Sequence, residues 1–178
     1  MKEIIAGFEG TKTAVYPDIR GIKTVGVGFN MEQANAREIF QRNLPGVSFD
    51  DVLSGKTSLT KPQAIQLFQE TLEDKVQTTQ RLFPNYEKYP NEVKTALVNG
   101  VFRGEFKSTD KTVKYINNGE WDKVADEYLD RADYRASKPG KDGGIRKRMD
   151  YNANIFRGYA ESLRKWLYNL TYNKTGLL

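Results

Sequence analysis

Apolar positions recur with a helical period along most of this chain and change period over one short stretch near its start. Ile4, Ile5 and Phe8 lie a helical turn or less apart, so residues 2–9 predict a short helix that Gly10 stops. Ala14-Val15-Tyr16 then predicts a strand, and Pro17-Asp18 and Arg20-Gly21 carry turn chemistry. Residues 22–29 predict a second strand, with glycine at 26 and 28. Met31, Ala34, Ile39 and Phe40 predict a short helix over 31–43, ending near Leu44-Pro45-Gly46, and 47–56 reads as a helical turn between loops. The clearest helix covers 60–80. Thr60 caps it, Gln63 completes a capping box, and Pro62 is tolerated in the first turn. Its apolar stripe is Ala64, Leu67, Phe68, Leu72 and Val76, and its polar second half suits a helix crossing between two lobes.

From Asn91 onward the pattern is helical. Asn91 is expected to cap 92–102, with Asn99 and Gly100 falling mid-helix against propensity, which points to packing or a cleft. Ser108 or Thr109 starts a helix over 110–117 that Asn118-Gly119 stops. Residues 120–129 follow, with Trp121, Val124, Ala125, Tyr128 and Leu129 inward. Residues 138–144 predict a flexible loop on the substrate side, 145–159 a helix, and 161–170 a last amphipathic helix whose Leu163, Trp166, Leu167 and Leu170 are expected in the core. A frayed tail from 171 is expected.

Composition narrows the chemistry. The 178 residues suit one compact domain with a proper core, and 38% hydrophobic with 29% charged residues is ordinary for a globular protein. There is no Cys and no His. Disulfides, thiolate metal sites and His-dependent triads are excluded, so a general acid has to be Glu, Asp, Lys or Tyr. No cofactor or metal is called for. No segment reads as a signal peptide or approaches the ~20 apolar residues of a membrane span. The net charge of +5 favours an acidic partner such as a wall polymer, nucleic acid or anionic lipid.

Against that background one constellation stands out. Glu9 ends the first helix beside Phe8, Asp18 sits at the hairpin turn, and Thr24 lies on the return strand. Breaking a glycosidic bond needs one carboxyl kept protonated and another ionised to aim a water or to attack. Glu9, at the end of an apolar helix, is placed for desolvation and a raised pKa. Asp18, in a Pro-Asp turn, is expected solvated and anionic, and the Thr24 hydroxyl suits holding a water beside it. Each residue alone is ordinary; the joint spacing carries the argument.

The pattern F-E-G…Y-x-D-x-x-G-x-x-T-x-G-x-G resembles the tailed-bacteriophage lysozymes (muramidases of glycoside hydrolase family 24). The similarity extends through Leu59-Thr60-Lys61-Pro62-Gln63-Ala64, Ala96-Leu97-Val98-Asn99-Gly100-Val101-Phe102, Asn118-Gly119-Glu120-Trp121-Asp122 and Gly143-Gly144-Ile145-Arg146-Lys147-Arg148. It covers roughly residues 2–160. It implies an α+β, mostly helical, lysozyme-like two-lobed fold. Residues of about 10–59 would form the small β-hairpin lobe, 60–80 the linking helix, and 81–170 with 1–9 the helical lobe of a single domain. It implies hydrolysis of the β-1,4 bond between N-acetylmuramic acid and N-acetylglucosamine by an inverting single displacement. Glu9 would be the acid, Asp18 the base and Thr24 its helper. Arg146, Arg148, Asn99 and Phe29 would support the acid or bind substrate.

Two departures bear on the site. Phe29 stands where the family usually has His, and Asn152 where many relatives carry Glu. The first leaves the acid's pKa to burial and to Arg146 or Arg148, with Arg146 the expected inner residue. Peptidoglycan is the expected partner of a monomer, with no nucleic acid. Its expected place is the host cytoplasm before lysis and then the periplasm and wall, or the virion. A catalytically silent wall-binding or virion domain, and a basic nucleic-acid-binding domain, are the alternatives. The second of these lacks a recognition motif and leaves the 9–18–24 spacing unexplained.

Overall fold

The computed structural model describes residues 1–18, 20–138 and 143–175, and all side chains there except those of Glu9, Gly143 and 173–175. In chain order the elements are α1 (Lys2–Glu9), β1 (Lys12–Pro17), β2 (Lys23–Gly26), β3 (Phe29–Asn30), α2 (Ala36–Asn43), α3 (Phe49–Leu53) and α4 (Lys61–Leu82). A 3-10 turn at Tyr86–Lys88 leads to α5 (Asn91–Phe102), α6 (Lys111–Asn118), α7 (Trp121–Leu129), α8 (Ala132–Ala136) and α9 (Gly143–Thr175). The mostly helical α+β architecture read from the sequence is the one found. The chain divides into two compact units, Met1–Val76 and Gln77–Leu178.

In the first unit, α1 stops at Gly10, whose φ of 74° lets its N–H return to the Ala6 carbonyl at 3.1 Å. The sheet is antiparallel in the order β1-β2-β3. Tyr16 pairs with Thr24 and Pro17 with Lys23, an irregularity separates that register from Lys12↔Gly26, and Thr24 pairs with Asn30 across β2–β3. The single return strand expected over 22–29 is therefore two strands. Gly26 and Gly28 take φ of 68° and 81°, and the chain reverses between them. Val27 and Phe29 stay buried through the reversal, so the apolar alternation reads straight across it. Gly26 also lies tight on α4: a Cβ there would come within 3.2 Å of the Ala64 carbonyl oxygen. The core gathers Val25, Phe29, Phe40, Phe49, Val52 and Leu67, with Phe40 meeting Phe49 edge-on at 5.3 Å. The capping box forms as expected, Thr60 N–H to Gln63 Oε1 at 2.8 Å and Gln63 N–H to Thr60 Oγ1 at 3.3 Å. The helix expected over 31–43 begins only at Ala36, because turns occupy 31–35.

In the second unit, α9 packs on α5 and α7, and α6 packs on α7. Trp121 and Tyr128 of α7 meet Phe156 of α9 at 6.2 and 5.4 Å. Several expectations need correction here. Asn91 is the first residue of α5 rather than its cap; Pro90 holds that position. The α6 helix starts at Lys111 behind Asp110. The two helices expected at 145–159 and 161–170 are one, α9, which takes in Gly143, Gly144 and residues 171–175. Of the loop expected at 138–144, residues 139–142 lie outside the described residues, as do 176–178 of the expected tail. Leu163 is half-buried, and Trp166, Leu167 and Leu170 are 60%, 56% and 42% exposed, so this stretch is surface and not core.

Gly100 shows why a poor helix former sits inside α5. A Cβ at that position would fall 2.3 Å from Cε2 of Phe106, whose ring is held edge-on by Phe83 at 5.3 Å. Gly100→Ala is expected to destabilise the protein by about 2 kcal/mol through overpacking, where helix propensity alone would predict a gain. Urea denaturation measures the sign.

Candidate functional site

The hairpin turn positions the first candidate. The Asp18 N–H donates to the Ile22 carbonyl at 2.9 Å, and the Gly21 N–H donates to the Asp18 carbonyl at 2.9 Å. Oδ1 of Asp18 accepts the backbone N–H of Arg20 at 2.8 Å and of Ile22 at 2.9 Å. Oδ2 lies 3.5 Å from Nε of Arg20. These donors, the Ile22 N–H foremost, hold the Asp18 carboxyl below the usual aspartate range, so it is anionic at neutral pH. The carboxylate is a quarter exposed, with one oxygen committed to the turn and the other toward the Arg20 guanidinium.

Thr24 is 4% exposed on β2, and its hydroxyl donates to the Ile22 carbonyl at 3.0 Å. One residue, Ile22, therefore anchors both candidates, Asp18 through its N–H and Thr24 through its carbonyl. With its hydrogen committed, the Thr24 oxygen is left as an acceptor. Glu9 is the final residue of α1, immediately before the Gly10 reversal. The expected desolvation of its carboxyl falls outside the described side chains.

Phe29 is 2% exposed and packs its ring against Phe40 at 6.5 Å. It also borders a polar cavity of about 330 Å³, lined by Gly28, Phe29, Asn30, Gln33, Asn35, Ile39, Glu70, Thr71 and Asp74. Asn30 is the β3 partner of Thr24, so this cavity and the hairpin share the sheet. Glu70 accepts hydrogen bonds from Asn43 and Arg42, both at 3.1 Å, and these keep it ionised. Among the described residues, no cluster of three carboxylates is placed to hold a metal.

The other candidates lie in the second unit. Asn99 is fully buried and its amide donates to Asn152 Oδ1 at 2.9 Å; the Asn152 amide donates to the Tyr128 hydroxyl at 2.8 Å, and Tyr128 donates to Glu105. Glu105 pairs with Arg103 at 2.7 Å, and Arg103 reaches Asp133 at 3.1 Å. Asn152 is thus the middle link of a buried polar chain. Arg146 spends its guanidinium on α8 and the residue after it, donating to the Tyr134 hydroxyl at 3.1 Å and to the Tyr134 and Ser137 carbonyls at 3.3 Å, while lying over the Tyr134 ring. Arg148 is the inward one of the two, 4% exposed, and its charge acts on Glu105. Of the two arginines, Arg148 is thus the more buried, whereas Arg146, the expected inner residue, is half-buried. Sequence reasoning did not single out Glu105 or Tyr128. The Arg103-Gly104-Glu105 stretch and the inward stripe of α7 carried no sign that they would meet.

The first unit thus presents, directly after a glutamate-terminated helix, a hairpin with an ionised aspartate and a buried threonine, on a mostly helical α+β chain. The phage lysozyme family profile matches residues 6–151, and the chain belongs to that family. No curated protein shows a significant match to it. At the level the family establishes, the activity is hydrolysis of peptidoglycan.

The Glu105 cluster generates a stability prediction. Burial, outweighing the Tyr128 hydrogen bond and the Arg103 charge, holds the Glu105 carboxyl above its ordinary value. A carboxyl raised in the fold binds its proton more tightly there than in the unfolded chain. Its contribution is therefore most favourable at low pH and falls as pH rises from the unfolded value of about 4.3 through the folded one. The stability of wild type relative to Glu105→Gln should decline across that window and then level off. Denaturant titrations at a series of pH values check it.

Proposed function

We propose that the protein is a muramidase that cleaves the β-1,4 bond between N-acetylmuramic acid and N-acetylglucosamine by an inverting single displacement. Glu9 protonates the leaving oxygen, Asp18 acts as base, and Thr24 helps hold the attacking water. The observation that supports this best is the shared Ile22 anchor. It leaves an anionic carboxylate and a hydroxyl oxygen, both acceptors, held by the N–H and the carbonyl of one residue. A water that donates one hydrogen to each presents its own lone pair outward, which is the arrangement a direct displacement needs. A carboxylate acting as nucleophile would give the threonine no comparable task. The cavity beside β3, lined by amides and carboxylates, suits a hydroxyl-rich sugar ring. The protein works as a monomer in lysis or penetration of the host wall, reaching the wall from the cytoplasm.

Glu9→Gln keeps the shape and removes the transferable proton, so turbidity clearing of peptidoglycan should fall by ~10²–10⁴-fold with the fold intact. Near wild-type clearing by the variant would dismiss Glu9 as the acid, whereas wall binding without clearing by the wild type would favour a silent binding domain.

The stereochemistry is a separate test. Inversion places an α-anomeric reducing end on the first product of a β-linked glycan. Proton NMR recorded before mutarotation reads it, and a β product would mean that Asp18 attacks directly. Thr24→Ala should slow turnover strongly and Thr24→Ser only mildly, since serine keeps both the hydrogen bond to Ile22 and the acceptor oxygen.

A further inference from the structure

The apolar seam of α9 does not end where the core ends. Met149, Ala153, Phe156 and Ala160 are buried at 0–4% exposure. The same alternation of four and three residues then continues as Leu163, Leu167 and Leu170, with Trp166 beside them. These four fall within roughly a 100° sector of the helix. From Trp166 on they stand in solvent, 60%, 56% and 42% exposed for Trp166, Leu167 and Leu170. Lys165, Tyr168 and Tyr172 occupy the opposite side, the two tyrosines stacked at 5.2 Å, and Arg164 flanks the apolar sector. Arg164 makes a surface pair with Asp122 at 3.1 Å, with both side chains about two-thirds exposed, which is a contact worth little and easily exchanged.

We infer that this end of α9 is an interfacial anchor that lays Leu163, Trp166, Leu167 and Leu170 into the surface of an anionic phospholipid bilayer. The charge pattern selects that occupant. Residues 162–178 contain Arg164, Lys165 and Lys174 and no Asp or Glu, on a chain of net charge +5. A second copy would add cations to cations, whereas an anionic headgroup layer neutralises Arg164 at the edge of the sector and attracts Lys165 across the width of the helix. Tryptophan, tyrosine and long basic side chains are also the residues that sit at the boundary between headgroup and acyl chain. The helix lies in the plane of the surface and does not cross it: no helix among the described residues is long and apolar enough to span a membrane.

The test uses the full chain and vesicles of equal parts phosphatidylglycerol and phosphatidylethanolamine, with phosphatidylcholine vesicles as the neutral control. Trp121 is 5% exposed and Trp166 is 60% exposed, so a blue shift of tryptophan emission reports on Trp166. The expected result is co-flotation with the anionic vesicles, a blue shift, and weakening by salt. Leu167→Glu/Leu170→Glu should abolish both signals. Arg164→Gln/Lys165→Gln should weaken binding by at least roughly 5-fold. Both pairs are surface changes, so the thermal midpoint and the hydrolysis of purified peptidoglycan should stay near wild type. Absence of binding to the anionic vesicles overturns the inference, as does equal binding to phosphatidylcholine or indifference to both double variants. A concentration-dependent dimer that Leu167→Glu/Leu170→Glu dissolves, with no vesicle binding, overturns it in favour of a second copy.

Discussion

The chemistry of the first unit hangs on a substitution of one hydrogen-bond acceptor for another at residue 22. Tyr16↔Thr24 and Pro17↔Lys23 set a register whose next rung joins Asp18 to Ile22. One bond of that rung is ordinary, Asp18 N–H to the Ile22 carbonyl. For the other, the Ile22 N–H is taken by the Asp18 carboxylate, while the Asp18 carbonyl accepts from Gly21. The side chain has replaced the backbone as the acceptor, as short polar residues do in turns. An ionised acceptor makes the stronger bond, so the turn is tightest when Asp18 is charged. Closing the hairpin and keeping Asp18 ionised are thus the same interaction. The Thr24 hydroxyl donates to the Ile22 carbonyl, the same oxygen that accepts the Asp18 N–H.

How much of this could be read in advance follows the range of the forces involved. The α4 helix was legible to its capping box because Thr60 and Gln63 are three residues apart and Ala64, Leu67 and Phe68 mark one face. The strand over 22–29 misled because Val25, Val27 and Phe29 are all buried, and burial alone does not reveal a reversal. The glycines at 26 and 28 were the available signal, and their positive φ angles are what the reversal uses. Within 145–175 the sole glycine is Gly158, with no proline. The chain carries one helix through it, and a Cβ there would meet nothing within 4 Å. A break near 160 had no stop signal behind it.

The candidate residues divide in the same way. Asp18 and Thr24 were legible because the hairpin that holds them is local, and their shared dependence on Ile22 was not, since it is a matter of backbone geometry. The chain from Asn99 through Asn152 and Tyr128 to Glu105 joins positions 53, 24 and 23 residues apart. No spacing rule reaches across such distances. Each of these polar groups would be costly to bury alone, and the chain of bonds offsets much of that cost while leaving Asn99 Oδ1 and Glu105 Oε1 without a hydrogen bond. Such a network rewards only the arrangement in which all members meet, which makes it a constraint on how α5, α7 and α9 pack rather than a large source of net stability.

The same physics accounts for the length of α9. A segment such as 161–175 would be marginally helical as an isolated peptide in water, since nucleation fixes several residues for a single hydrogen bond. Here the nucleus already exists: Met149, Ala153 and Phe156 are fully buried, and each further residue adds a bond to a turn that is formed. Thr171 returns its hydroxyl to the carbonyls of Leu167 and Tyr168, and Tyr168 stacks on Tyr172. Fifteen residues beyond Ala160 extend the helix by roughly 22 Å. Propagation explains why the segment is helical but gives no reason for its outward face to carry leucine and tryptophan. A solvated extension would gain nothing from Trp166, Leu167 and Leu170, and polar residues would propagate the helix as well. The apolar face therefore needs a cause other than helix formation, and the cationic character of the segment points to the kind of surface that would supply one.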